Sequence, residues 1–239
     1  MKTIAVIPAR LGSTRLPRKM LREIAGKPLV GWVYEAVRRS PVLADVIVAT
    51  DSEEILTVCR AHGWNARLTA EEHRSGTERV QEISTFIAAD CYLNVQGDEP
   101  LVRAEQIATL VGLMKDSCVP VGTLKTACAE LDVHNPHAVK VVTAANGRAL
   151  YFSRGAIPWD RDGGQARYFK HLGLYAYRRS ALDFFVQQPE SPLEKSERLE
   201  QLRFLENGIS IHVEETAYDS VGVDTEEDLR RVEEILLQS

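Results

Sequence analysis

The sequence predicts an α/β fold with a mostly parallel central sheet, flanking helices and a smaller mixed or antiparallel region in its second half. Three observations predict it. Apolar, β-branched runs at 4–7, 46–49 and 92–95 alternate with stretches of helical spacing; Asn146-Gly147 lies between two strand-like runs; and the chain closes on an amphipathic pattern from Thr225 onward.

Taken in order, Ile4-Ala5-Val6-Ile7 is the first strand, and it ends at Pro8 in a loop of small residues carrying Arg10, Arg15, Arg18 and Lys19. Pro28-Leu29-Val30 with Trp32, Val33 and Val37 has the spacing of a helix that buries one face. Val46-Ile47-Val48-Ala49 is the second strand, Ile55, Leu56, Val58 and Cys59 mark a second helix, and Val80, Ile83, Phe86 and Ile87 a third. Tyr92-Leu93-Asn94-Val95 is the next strand. Such alternation yields parallel strands joined by right-handed crossovers. The rhythm then changes: 139–143 and 148–152 flank Asn146-Gly147, a hairpin signal. A strand over 172–177 and a helix over 199–206 come next, the latter stopped by Asn207-Gly208. Residues 159–165 read as a surface loop, and Leu229, Val232, Ile235 and Leu236 give the last helix an apolar face behind an acidic first turn.

A chain of 239 residues with 44% hydrophobic content can bury a substantial core. Its 29 Lys+Arg against 34 Asp+Glu give a net charge of -5, which supplies no general positive field for duplex nucleic acid or an anionic membrane. Any polyanion must therefore bind locally. Cys59, Cys91, Cys118 and Cys128 lie within or beside apolar runs without paired spacing, the pattern of reduced, buried thiols. Asn135-Pro136 between His134 and His137 prevents a helical ligand pair, so zinc has little support. The first apolar run is too short for a signal peptide or membrane span, and a cytoplasmic location is expected.

The loop after the first strand fits neither the Walker pattern nor the dinucleotide pattern. Its residues alone leave two readings open, a nucleoside triphosphate site and a solvated basic turn. Backbone N–H groups at the carboxyl end of a parallel strand, with Arg and Lys beside them, form a concave site for phosphate oxygens.

Further blocks bear on that choice. Residues 8–17, Ala49-Thr50-Asp51, Ser75-Gly76-Thr77-Glu78-Arg79, residues 94–100, Tyr151-Phe152-Ser153-Arg154, Lys170-His171-Leu172-Gly173, Leu199-Glu200-Gln201-Leu202 and Gly222-Val223-Asp224-Thr225 together resemble the 3-deoxy-manno-octulosonate cytidylyltransferase (CMP-Kdo synthetase) family. The resemblance spans nearly the whole chain, whereas that to the sialic acid cytidylyltransferases lies mainly in the first phosphate loop and the overall fold. One departure is plain: Arg18-Lys19-Met20 stands where many family members have Gly-Lys-Pro, with Lys19 in register.

The resemblance implies a Rossmann-like nucleotidyltransferase fold forming one domain over 1–239, with a CTP-binding lobe over about 1–125, a sugar-binding and dimerisation region over about 126–224, and a C-terminal helix over 225–239 that packs back on the sheet. It implies transfer of CMP from CTP to the anomeric hydroxyl of 3-deoxy-D-manno-octulosonate (Kdo), which attacks the α-phosphorus and expels pyrophosphate, for lipopolysaccharide biosynthesis. Mg²⁺ is the implied cofactor and a homodimer the implied assembly, with no nucleic-acid or membrane partner. The hairpin over 139–152 is the interface candidate.

The catalytic candidates are Arg10, Lys19, Asp98 and Asp224, with Asp98 and Asp224 as magnesium ligands. Carboxylates, water and phosphate oxygens make the hard shell Mg²⁺ takes, and a second ion fits a two-metal scheme. CTP contacts are assigned to Ala9, Arg10, Leu11, Gly12, Ser13, Lys19, Ala49, Thr50, Arg74, Ser75, Thr77 and Gln96, with Arg15 as a supporting contact and Asp51 ranked below Gln96. The sugar candidates are Arg154, His171, Glu200 and Gln201, since a polyhydroxy acid needs a cation for its carboxylate and partners for its hydroxyls. Pattern alone leaves other roles open: a helix cap for Asp224, Asp51 or Ser75, a solvated loop for Arg15 and Arg18, a structural imidazole for His171, and a solvated helix face for Glu200. Tyr175 and Tyr177 read as packing residues. Rival functions are a cytidylyltransferase for amino-Kdo or sialic acid and a non-catalytic nucleotide-binding module; a glycosyltransferase is disfavoured because Gln96-Gly97-Asp98 lacks a paired Asp-x-Asp motif.

Overall fold

The computed structural model of the chain describes residues 1–13 and 15–238. Thr14 of the first loop and Ser239 of the expected last segment lie outside the described residues. The chain folds as two units, Met1–Ala108 with Ser220–Ser239, and Thr109–Asp219.

In the first unit the chain runs β1 (Thr3–Ala9), β2 (Glu23–Ile24), β3 (Lys27–Pro28), α1 (Leu29–Arg38), β4 (Asp45–Thr50), α2 (Glu53–Ala61), β5 (Ala66–Leu68), α3 (Gly76–Phe86), β6 (Cys91–Asn94) and α4 (Ala104–Leu113), within which the division between the units falls. Its sheet has the order β6-β1-β4-β5, and every pairing is parallel. Ile4, Ala5, Val6 and Ile7 are fully buried, as befits a strand covered by helices on both faces. The strand order creates a topological switch point. After β1 the chain adds β4 and β5 on one side, then places β6 on the other, so the loops leaving β1 and β6 part at the carboxyl edge of the sheet. A crevice at such a point is where open α/β sheets take ligands.

The helices begin where the sequence supplies caps. Ser52 accepts the N–H of Ile55 at 3.4 Å to start α2, and Ser75 accepts the N–H of Glu78 at 3.2 Å to start α3. Ser75 and Glu78 have the spacing of a capping box but form only half of one, because the Glu78 carboxylate accepts the N–H of Arg74 at 2.6 Å.

The second unit contains β7 (Val121–Ala127), β8 (Lys140–Thr143), β9 (Ala149–Ser153), β10 (Phe169–Tyr177), α5 (Arg179–Gln187), α6 (Pro192–Glu197), α7 (Leu202–Glu206) and β11 (Ile211–Glu215). Its sheet is mixed: β11 runs parallel to β7, β10 antiparallel to it with a register shift between Leu172 and Tyr175, and β8 joins β10 through Lys140 and Lys170. The expected hairpin is β8–β9, closed by the Ala144 N–H to Arg148 carbonyl bond at 2.8 Å, with Gly147 at φ +79. The core here includes a buried ion pair, Arg203 to Glu194 at 2.5 Å, with the Arg203 guanidinium over the Phe185 ring.

Two expectations need correction. The helix read over 199–206 begins at Leu202, because Arg198 takes a left-handed conformation (φ 54) that closes α6 and leaves 199–201 as a turn. All four cysteines are free, but only Cys59 and Cys91 are buried; Cys118 is exposed and Cys128 partly so. Val119 beside Cys118 points inward while the thiol does not, and Cys128 lies at the end of β7 between exposed Ala127 and Ala129.

The chain then returns to the first unit as α8 (Glu226–Leu237), where Glu233 accepts the N–H of Ala25 at 2.8 Å and Glu226 pairs with Arg22 at 2.7 Å. These contacts seat α8 on the short β2–β3 ribbon.

Candidate active site

A cavity of about 350 Å³ opens in the first unit at the carboxyl ends of β1 and β6. Arg10, Gly12, Ser13, Arg15, Lys19, Arg74, Ser75, Gln96, Asp98 and Asp224 line it, together with Pro8, Met20, His73, Gly76 and Arg79. Five cationic side chains against two carboxylates make this wall strongly positive, as a polyphosphate requires. Ala9, Thr50, Ala49 and Thr77 are buried and Leu11 is half-buried, and these five stand behind the wall rather than on it.

At one side of the cavity three distant parts of the sequence meet. The Lys19 ammonium lies 2.5 Å from Asp98 Oδ2 and 3.0 Å from Asp224 Oδ1, while Arg15 holds the other Asp224 oxygen at 3.0 Å. Backbone geometry enforces the meeting: the Val223 N–H donates to the Asp98 carbonyl at 2.8 Å, which sets the two carboxylates side by side. Burial alone lowers the basicity of Lys19, yet Asp98 and then Asp224 outweigh it by charge and hydrogen bonding and raise its pKa.

The cap alternative holds for Ser75, which caps α3 and also lines the cavity, but not for Asp224 or Asp51. Thr225 caps α8, accepting the Asp228 N–H at 3.2 Å, and the Asp228 carboxylate accepts both the Thr225 and Asp224 N–H groups. Asp224 is thereby left free of capping duty. Ser52, not Asp51, caps α2; Asp51 instead accepts the Leu11 N–H at 3.3 Å and pairs with Arg79 at 3.0 Å. Arg79 is buried, also donates to Thr69 Oγ1 and the Ala70 carbonyl, and so ties the first loop to α3. Arg79 and His73 are cavity residues that sequence reasoning did not assign, although Arg79 closes the quoted Ser75–Arg79 block. Arg18 pairs with Glu54 and holds a left-handed backbone at φ 57, where many members of the resembled family have glycine.

Asp98 and Asp224 suit a divalent cation. Their oxygens converge on a single point, where the Lys19 ammonium now stands in for a positive ion, and the donors are hard carboxylates with no thiolate or imidazole among them. No cluster of three or more acidic, His or Cys ligands occurs among the described residues, so an ion held by this pair would need phosphate and water oxygens to complete its shell.

The sugar candidates all lie in the second unit. Arg154 spends its guanidinium on backbone carbonyls, those of Glu197 (2.7 Å), Pro136 (2.9 Å) and Arg198 (3.3 Å). The His171 imidazole contacts Thr123 Oγ1 at 3.1 Å and packs against the Phe152 and Tyr175 rings, and burial pushes its pKa down to about 3. It is a neutral hydrogen-bonding group, not a cation. Glu200 and Gln201 occupy the turn before α7, and Gln201 is buried with its amide nitrogen unpartnered. The Tyr175 hydroxyl is likewise buried without a partner, and burial, with Tyr177 and Glu200 nearby, raises its pKa well above the ordinary value. Orphaned polar atoms of this kind are uncommon in a core. Tyr175 packs as expected, its ring against His171 and Tyr177, and carries this orphaned hydroxyl in addition.

A family model described as cytidylyltransferase matches residues 4–211. The chain is 65% identical to the 3-deoxy-manno-octulosonate cytidylyltransferase of Koribacter versatilis (strain Ellin345) over 237 residues, covering 99% of this chain and 90% of that one. It is 54% identical to the enzyme of the same name from Acidobacterium capsulatum, covering 100% and 98%. A solved structure of CMP:2-keto-3-deoxy-manno-octonic acid synthetase complexed with CTP superposes with a TM-score of 0.96 at 43% identity, covering 100% of this chain and 99% of that one.

Proposed function

Because the chain belongs to the 3-deoxy-manno-octulosonate cytidylyltransferase family, we propose that it works as a Mg²⁺-dependent, cytoplasmic homodimer whose product serves lipopolysaccharide synthesis. The chain transfers CMP from CTP to the anomeric hydroxyl of Kdo, releasing pyrophosphate.

The work falls to charge control. Arg10, Ser13 and Arg74 line the cavity where they neutralise and orient the triphosphate, and Gln96 and Ser75 bound the nucleotide. Lys19 faces the departing pyrophosphate, whose negative charge rises as the bond to the α-phosphorus breaks. Asp98 and Asp224 hold Mg²⁺, which when bound polarises the α-phosphate and acidifies the sugar hydroxyl. On the sugar side, His171, Tyr175, Glu200 and Gln201 offer donors and acceptors to a polyhydroxy acid, while Arg154 shapes the turn that carries the last two. Exposed Leu131 and Leu150, the latter on the β8–β9 hairpin, support an interface there. A monomeric mass in solution would count against the dimer.

The observation that carries this reading is the convergence of Asp98 and Asp224 on Lys19 inside a cationic cavity. Purified protein offered CTP and Mg²⁺ with Kdo, amino-Kdo or sialic acid should release pyrophosphate with Kdo. Release with sialic acid alone would overturn the substrate, and tight CTP binding with no release from any acid would mark a non-catalytic module. Asp98→Asn should raise the Mg²⁺ requirement and depress turnover.

A further inference from the structure

Lys19 occupies an unusual position for a phosphate-binding lysine. Its ammonium is directed at Asp98 and Asp224, largely withdrawn from solvent, and Arg15 completes the neutralisation by holding the second Asp224 oxygen. The two carboxylates and two cations balance to zero. A divalent ion approaching this group meets no net negative charge, and to reach the shared point between the carboxylates it must expel an ammonium from contacts of 2.5 and 3.0 Å.

The same side chain lines the cavity with Arg10, Ser13 and Arg74, so a triphosphate bound there offers Lys19 an alternative partner of higher charge on a flexible four-carbon stem. Lys19 also starts a single 3₁₀ turn, Lys19–Leu21, which comes directly after left-handed Arg18. Its backbone is anchored, and the side chain is the part that can change partners.

From this we infer that Lys19 is a removable counter-cation: it fills the divalent-ion position between Asp98 and Asp224 while nucleotide is absent and yields it to the metal when a triphosphate draws the ammonium away. The metal then enters with the nucleotide and not ahead of it. This rests on the reading of Asp98 and Asp224 as metal ligands and adds an order of events. Linkage makes the effect reciprocal: the metal that displaces Lys19 also strengthens its grip on the phosphates.

The test is direct binding of Mn²⁺ to the full-length protein, monitored by electron paramagnetic resonance without nucleotide. Wild type should bind Mn²⁺ weakly; Lys19→Met, which removes the ammonium and keeps the stem, should bind one ion at least tenfold more tightly, and Asp98→Asn on that background should abolish the gain. Arg15→Gln, at an exposed position, should tighten binding by a smaller factor and serves if the Lys19 variant is unstable. Equal Mn²⁺ affinity in wild type, Lys19→Met and Arg15→Gln overturns the inference. The metal assignment is read separately: adding CTP to wild type should give Mn²⁺ a protein-bound line shape that Asp98→Asn lacks, and if Asp98→Asn keeps that line shape the ligand assignment falls with the inference built on it.

Discussion

Replacing Gly97 by alanine tests whether the cavity depends on how closely β1 and the Gln96–Asp98 loop approach. A Cβ at position 97 would lie 2.7 Å from the Pro8 carbonyl oxygen and 2.9 Å from Met20 Sδ. The thioether can swing aside. The carbonyl cannot, because Pro8 sits in β1 between neighbouring strands, in register with Ala49. Carbon and oxygen need about 3.3 Å, so the loop must retreat by roughly 0.6 Å. Overpacking of this size costs about 1–3 kcal/mol. The retreat also carries Asp98, the next residue, away from Lys19 and Asp224, and misplacing reacting groups by about 1 Å costs around 10²-fold in rate. Gly97→Ala should therefore lower kcat for pyrophosphate release by about tenfold and shift the urea unfolding midpoint downward. A variant with kcat within about twofold of wild type and an unchanged midpoint would refute the close-approach argument.

Arg79→Met strips the largely buried Asp51 carboxylate of its partner and should cost about 3 kcal/mol in unfolding free energy while raising KM for CTP, since Asp51 also holds the Leu11 N–H; unaltered KM and stability would refute it. Lys140→Met leaves the carbonyls of Asn135, Ala138 and Arg154 without the ammonium that now binds all three, and a loss of about 3 kcal/mol or more should appear in denaturant unfolding. His171 has a folded pKa of about 3 against 6.5 unfolded, so between those values the unfolded chain binds more protons. Its contribution to stability is present above pH 6.5 and lost as pH falls toward 3, which His171→Gln should reveal as a shallower acid limb in unfolding midpoints.

The parallel strands announced themselves because β1, β4 and β6 are buried on both faces and so read as unbroken apolar runs. The three-residue parallel strand β5 and strands β7 and β11 did not. Val121-Gly122-Thr123-Leu124-Lys125 mixes glycine and polar residues with its apolar ones, and Ile211-His212-Val213 is too short to separate from a loop. The turn at 199–201 was hidden for another reason: its residues have ordinary helical character, and only the left-handed Arg198 breaks the pattern. In the candidate site, Arg10, Lys19, Asp98 and Asp224 stood out through their motif blocks. The choice between cap and ligand for Asp224 was not legible, because Thr225 and Asp224 are both good caps and only the three-dimensional placement of Asp228 decides. Arg79 escaped attention because its significance lies in Asp51, twenty-eight residues earlier in the chain.

One half of the acidic pair comes from the segment that follows the second unit. The first unit is completed only by Ser220–Ser239, after the whole of the second unit has been translated. A ribosome that has released residues up to 219 has delivered Lys19 and Asp98 but not Asp224, so a nascent polypeptide carries a basic, half-built pocket until residue 224 emerges. Premature stop codons or proteolytic trimming in this stretch should thus disable chemistry even where most of the polypeptide folds.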